Sequence, residues 1–124
     1  MSEKKILIVD DDSSMRRLLT YHLEKAGYEV LDAEDGEDGL AKAESEKPDV
    51  VITDLMMANK DGFELCRDIR SRRDLDSVSI VVITARDSSS DVGTLMAAGA
   101  NAVMQKPFNP QELTRTLQDI ISKK

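Results

Sequence analysis

The sequence predicts a doubly wound α/β fold, an open parallel sheet with helices on both faces. Two observations carry that prediction. Short, continuous apolar runs rich in β-branched residues alternate with helical patterns, and they do so five times. Continuous runs of this kind suit strands buried on both faces, whereas a half-exposed strand would alternate apolar with polar. The 124 residues also hold no internal repeat, low-complexity tract or Pro/Gly linker, so the five units form one domain over residues 1–124.

Each element has its own signal. Ile6-Leu7-Ile8-Val9 is the first strand. Met15, Leu18, Leu19, Leu23 and Ala26 then keep one helical face, and Gly27 supplies the stop. Tyr28 to Ala33 is a weaker second strand. Gly39, Leu40 and Ala41 to Ala43 lie in a second helix that ends before Pro48. Val50-Val51-Ile52 is the third strand, and Phe63, Cys66 and Ile69, with Leu65 beside them, mark the third helix. Ile80-Val81-Val82-Ile83 is the fourth strand. The fourth helix begins near Ser88, carries Val92, Leu95 and Met96, and stops at Gly99; Gly93 makes it the weakest by propensity. Ala102 to Met104 is the fifth strand. The fifth helix carries Leu113, Leu117, Ile120 and Ile121. Its start is explicit, with Asn109 as N-cap, Pro110 at the first position and Glu112 three residues after the cap.

Composition narrows the function. Against 24 acids stand 17 Lys plus Arg, a net charge of −7, and the pI is about 4.7. Phosphates repel such a surface, which argues against direct binding of DNA, RNA or an anionic membrane. Cys66 stands alone, so no disulfide framework or cysteine-based metal site forms within one chain. Ile6 to Val9 is too short for a signal-peptide core. No run approaches the roughly 20 apolar residues of a membrane span. The expected compartment is the cytoplasm.

In open parallel sheets the functional crevice lies at the carboxyl ends of the strands, where strand order reverses. The first strand runs into Asp10-Asp11-Asp12, the third into Thr53-Asp54, the fourth into Thr84-Ala85-Arg86, and Lys106-Pro107-Phe108 follows the fifth. If the first and third strands are neighbours, Asp10, Asp11 and Asp54 share one crevice. Like charges about 4 Å apart repel by roughly 4 kcal/mol at an effective dielectric of 20. Such a cluster shares protons or holds a cation. Oxygen ligands without His or Cys favour a hard ion, Mg²⁺ or Mn²⁺. His22, inside the first helix, is poorly placed to help. Lys106 and Thr84 suit a phosphoryl group, as a point charge and a hydroxyl donor.

Taken together, Ile8-Val9-Asp10-Asp11-Asp12, Ile52-Thr53-Asp54-Leu55-Met56-Met57, Lys60-Asp61-Gly62, Val82-Ile83-Thr84-Ala85 and Lys106-Pro107-Phe108 carry a family resemblance. The chain resembles, over essentially its whole length, the CheY-like receiver domain of two-component response regulators. The resemblance implies a flavodoxin-like (βα)5 fold with strand order 2-1-3-4-5. It implies that Asp54 is the phosphoacceptor for a phosphohistidine of a sensor histidine kinase or phosphotransfer protein. Asp11, Asp54 and the Met56 carbonyl would bind Mg²⁺, Asp10 would support it through water, and Thr84 and Lys106 would contact the phosphoryl oxygens. The domain would then be a signalling phosphoacceptor rather than an enzyme, catalysing its own phosphorylation and dephosphorylation. Its α4-β5-α5 face would switch to bind a downstream effector protein or output domain, with phosphorylation-dependent dimerisation a further option. At this length one receiver is expected to fill residues 1–124, with any output coming from a partner or from further chain.

Some residues depart from the family pattern. Ala58 stands where most receivers carry proline, and Val103 where many carry Tyr or Phe. An aromatic switch is therefore not expected, while movement of Thr84 remains available. Met56 and Arg86 flank the phosphoryl position, and an apolar and a long cationic side chain there are expected to restrict the attacking water. Other residues read as structural. Asp12, Ser13 and Ser14 are capping candidates, Cys66 a small core residue, His22 a packing or surface residue, and Ser88 to Ser90 helix-start capping. Arg70, Arg72 and Arg73 read as a solvated helix end. A haloacid-dehalogenase-like phosphatase, with Asp10 as nucleophile, is the rival reading of Asp10-x-Asp12. No Gly-rich phosphate loop follows the first strand to support a nucleotide- or flavin-binding module.

Overall fold

Strands and helices alternate through the structure, a computed structural model that describes residues 4–57, 59–84 and 91–122. The order is β1 (Lys5–Val9), α1 (Ser13–Lys25), β2 (Glu29–Ala33), α2 (Gly36–Glu46), β3 (Val50–Asp54), α3 (Gly62–Arg70), a short 3₁₀ turn (Arg73–Leu75), β4 (Ser79–Thr84), α4 (Asp91–Ala97), β5 (Ala102–Gln105) and α5 (Pro110–Ser122). The five strands form one parallel sheet in the order β2-β1-β3-β4-β5. The doubly wound fold expected from the sequence is therefore the observed one, with its strand order.

Alternation within the continuous apolar runs divides the core into two layers. Ile6, Ile8, Val50, Ile52, Val81 and Ile83 face α1 and α5, where Leu19, Leu23, Leu113 and Leu117 are buried against them. Leu7, Val9, Val51, Ile80 and Val82 face the other way, onto Ala43 of α2, Leu65, Cys66 and Ile69 of α3, and Leu95 of α4. A fully buried Leu or Ile side chain contributes roughly 1.5–3 kcal/mol over an exposed one. Cys66 is thus the core residue expected. Burial raises its thiol pKa, and its Sγ reaches the Ala98 carbonyl oxygen at 3.6 Å.

The capping expectations resolve residue by residue. Asp12, rather than Ser13 or Ser14, is the N-cap of α1: its Oδ1 accepts the N–H groups of Ser14 at 2.9 Å and Met15 at 3.4 Å. At α5, Asn109 Oδ1 accepts the Glu112 N–H at 2.8 Å. Ser88 to Ser90 lie outside the described residues, as do Ala58, Ala85 and Arg86.

Two expectations need correction. Leu18, read as part of the apolar face of α1, is 50% exposed. It stands beside the Leu19–Leu23 seam and lines a groove of about 330 Å³ with Met15, Phe108 and Leu113. Arg70 is no solvated helix end. Its Nε donates to the Gly99 carbonyl at 2.9 Å and its guanidinium also to Asn101 Oδ1 at 2.8 Å, which ties α3 to the turn before β5.

Candidate functional site

The sheet register brings the strand-end residues together. Val9 pairs with Thr53, so Asp10 and Asp54 lie side by side as their strands end. The Asp10 N–H donates to the Ala33 carbonyl at 3.1 Å, holding the loop after β1 to β2. On the other side Asp54 pairs with Ile83, and Thr84 is the next residue on β4, buried. The Lys106 N–H continues the ladder by donating to the Thr84 carbonyl at 2.8 Å. Its Nζ then reaches Asp54 Oδ2 at 3.2 Å. Four neighbouring strands thus deliver Asp10, Asp54, Thr84 and Lys106 to one crevice at the strand-order reversal, where such folds bind ligands.

Asp10, Asp11 and Asp54 each offer a carboxylate oxygen, and the three lie within 4.8 Å of one another. Asp10 is the buried member. Burial raises its pKa; the Asp12 N–H, donated to Asp10 Oδ1 at 2.9 Å, opposes this, the Asp54 charge raises it further, Lys106 opposes and Asp11 adds a smaller rise. Burial is thus the main cause of the raised value, and at Asp10 the Asp54 charge outweighs the opposing effect of Lys106. This donor set, oxygens alone with a surplus of negative charge, fits a hard divalent cation.

Leu55, Met56 and Met57 follow Asp54 directly, and Met56 is 72% exposed. Both ends of the β3–α3 loop are fixed. The Leu55 N–H donates to Ile83 at 3.0 Å, and the Gly62 N–H donates back to the Leu55 carbonyl at 2.8 Å. A Cβ at position 62 would sit 2.6 Å from the Asp54 carbonyl oxygen, so glycine is needed for this approach. Asp61 and Glu64 form a capping box that starts α3.

Arg16 is a site neighbour that sequence reasoning passed over. Its guanidinium donates to the Asp10 carbonyl oxygen at 2.7 Å and, through Nε, to Asp32 Oδ2 at 3.0 Å. The available signal was its position in the first turns of α1, since long helical side chains lean toward the helix N-terminus. His22 stays away from the cluster and packs edge-on to Tyr21.

Known proteins share this fold. The response regulator receiver domain family matches residues 6–118. The chain belongs to the response regulator receiver family. Among curated relatives, the receiver is 42% identical over 118 residues to the alkaline phosphatase synthesis transcriptional regulatory protein PhoP of Bacillus subtilis (strain 168), covering 95% of this chain and 48% of that protein. It is 38% identical to the "Probable transcriptional regulator ycf27" of Porphyridium aerugineum, over 98% of this chain and 49% of that one. The chain spans about half the length of these curated relatives. Among solved structures, the receiver superposes on chemotaxis response regulator CheY4 of Vibrio cholerae with a TM-score of 0.88 at 36% identity, covering 96% of this chain and 99% of that one. A response regulator receiver domain protein from Clostridium thermocellum gives 0.90 at 28% identity, covering 97% and 95%. The fold and the family are thus CheY-like. Among the described residues, no helix of the receiver is long and apolar enough to cross a membrane.

Proposed function

We propose that this receiver accepts a phosphoryl group on Asp54 from a phosphohistidine of a sensor histidine kinase or phosphotransfer protein. The observation that carries this reading is the convergence of Lys106 Nζ and the Asp10 and Asp11 carboxylates on Asp54. A carboxylate oxygen of Asp54 attacks phosphorus in line; the new P–O bond forms as the P–N bond to the donor imidazole breaks, and the imidazole leaves with that electron pair. Lys106 supplies positive charge to the phosphoryl oxygens, and Thr84 donates a hydrogen bond to one of them. Asp10, Asp11, Asp54 and the Met56 carbonyl would hold Mg²⁺. When bound, that ion would neutralise charge on the carboxylates and the transferring group. The domain then acts as a self-catalysing signalling phosphoacceptor. Added charge at Asp54 would draw Thr84 inward and alter the α4-β5-α5 face read by an effector protein or output domain.

The phosphatase alternative fits less well. Asp10 is buried, its Oδ1 already accepts the Asp12 N–H, and its environment disfavours the ionised form that a nucleophile needs. Intact mass after incubation with a small acyl phosphate and Mg²⁺ tests the reading. One phosphoryl adduct is expected on the wild type and none on Asp54→Asn; an equal adduct on the variant refutes it.

Met56 bears on the lifetime of that adduct. It is exposed two residues after Asp54, and its thioether, a weak acceptor with no donor, orients an attacking water poorly. Met56→Asn is expected to shorten the adduct's half-life in a mass time course, and an unchanged or longer half-life would contradict this account of water access.

A further inference from the structure

The β3–α3 loop is also gripped from outside the crevice, by the start of α2. Asp35, the N-cap of α2, uses both carboxylate oxygens. Oδ1 accepts the Asp38 N–H at 2.8 Å and closes the helix start, while Oδ2 accepts the side-chain amide of Asn59 at 2.9 Å. Those two bonds, the helix bond first, hold the Asp35 carboxyl below its usual pKa, so it stays an ionised acceptor. Asn59 has φ 70°, a left-handed conformation that asparagine adopts more readily than most residues. Beside it, Gly36 packs directly on the loop backbone: a Cβ there would lie 2.1 Å from the Lys60 carbonyl oxygen. On its far side the Lys60 ammonium pairs with Asp68 of α3.

The loop is therefore seized at Asn59 and Lys60 between two helices, a few residues beyond Met56. None of these contacts touches the carboxylate cluster, and capping α2 requires only one oxygen of Asp35. The second oxygen is spent on the loop. A ligand-bearing loop ordered in advance loses less conformational freedom on binding, and so binds more tightly.

We infer that Asp35 and Asn59 are positioning residues for the crevice: their hydrogen bond fixes the β3–α3 loop in the conformation that binds the divalent cation. This rests on the proposal that Asp10, Asp11, Asp54 and the Met56 carbonyl hold that cation. Asp35 and Asn59 act through the loop and touch neither the cation nor the phosphoryl group.

Mg²⁺ titration of the full chain by calorimetry, beside thermal melts in EDTA, tests the inference. Asn59→Gly keeps the left-handed backbone and deletes the amide; Asp35→Ser keeps an N-cap and deletes the second oxygen. Each variant is expected to weaken Mg²⁺ binding about tenfold, the low end for outer-shell partners, with the metal-free melting temperature close to wild type. The double variant should bind no more weakly than either single, because both remove one interaction. Single variants that bind like wild type, or losses that multiply in the double, overturn the positioning role. So does a melting temperature that falls in step with affinity, which marks a purely structural contact. Asp11→Asn is the control: a wild type that binds Mg²⁺ no better than Asp11→Asn overturns the cation site itself, and the positioning role with it.

Discussion

Asp10→Asn is expected to change two properties in opposite directions: the metal-free protein becomes more stable at pH 7, and Mg²⁺ binding weakens. The buried Asp10 carboxylate lies within 4.8 Å of those of Asp11 and Asp54, and its pKa is raised by burial above all. Asparagine keeps an oxygen for the Asp12 N–H but removes one of the charges. With Coulomb repulsion of a few kcal/mol per pair, partly offset by Lys106, a gain of about 2 kcal/mol is expected. The sign follows from proton linkage. The unfolded chain loses the Asp10 proton near the ordinary value of 3.8, and the folded chain loses it at higher pH. Between those two values the folded state binds more protons, so stability falls as pH rises through that window. The variant lacks this loss. Urea denaturation in EDTA at pH 4 and pH 7 should show its advantage growing with pH, while calorimetry shows Mg²⁺ affinity reduced about 10- to 100-fold. A variant that is less stable than wild type at pH 7 in EDTA would contradict the charge-crowding account.

Lys106→Met is expected to separate chemistry from metal binding. The Lys106 ammonium lies 3.2 Å from Asp54 Oδ2 and would compete with a cation for the Asp54 charge. Removing it leaves every proposed metal ligand in place and one competing positive charge fewer, so Mg²⁺ affinity should be retained or increased. The rate of adduct formation at saturating Mg²⁺ should fall about 100- to 1,000-fold, the scale for losing one fixed donor to developing negative charge. Weaker Mg²⁺ binding with an unchanged rate would assign Lys106 to the architecture rather than to phosphoryl transfer.

The parts of this protein legible in its sequence are those written in local patterns. Ile6 to Val9, Val50 to Ile52 and Ile80 to Ile83 are continuous apolar runs because both faces of their strands are covered, one by α1 and α5, the other by α2, α3 and α4. Parallel strands then align their carboxyl ends, which is why Asp10, Asp54, Thr84 and Lys106 could be grouped by position alone. Contacts made by long polar side chains were not legible in this way. Arg70 looked like a solvated helix end because its partner Gly99 lies 29 positions away. The Asp35–Asn59 bond joins residues 24 apart, and neither belongs to an apolar pattern. Leu18 was misplaced for a different reason. Periodicity marks an apolar stripe, but how much of the stripe is covered depends on how closely α5 and the residues after β5 approach it.

The central claim is that Asp54 itself carries the phosphoryl group. Borohydride reduces an aspartyl phosphate to homoserine, so reduction of the phosphorylated protein followed by peptide mass mapping reads the position directly. The account predicts homoserine at position 54 and unmodified aspartate at positions 10 and 11. Homoserine at position 10, or a phosphorylated protein with no homoserine at position 54, would contradict it.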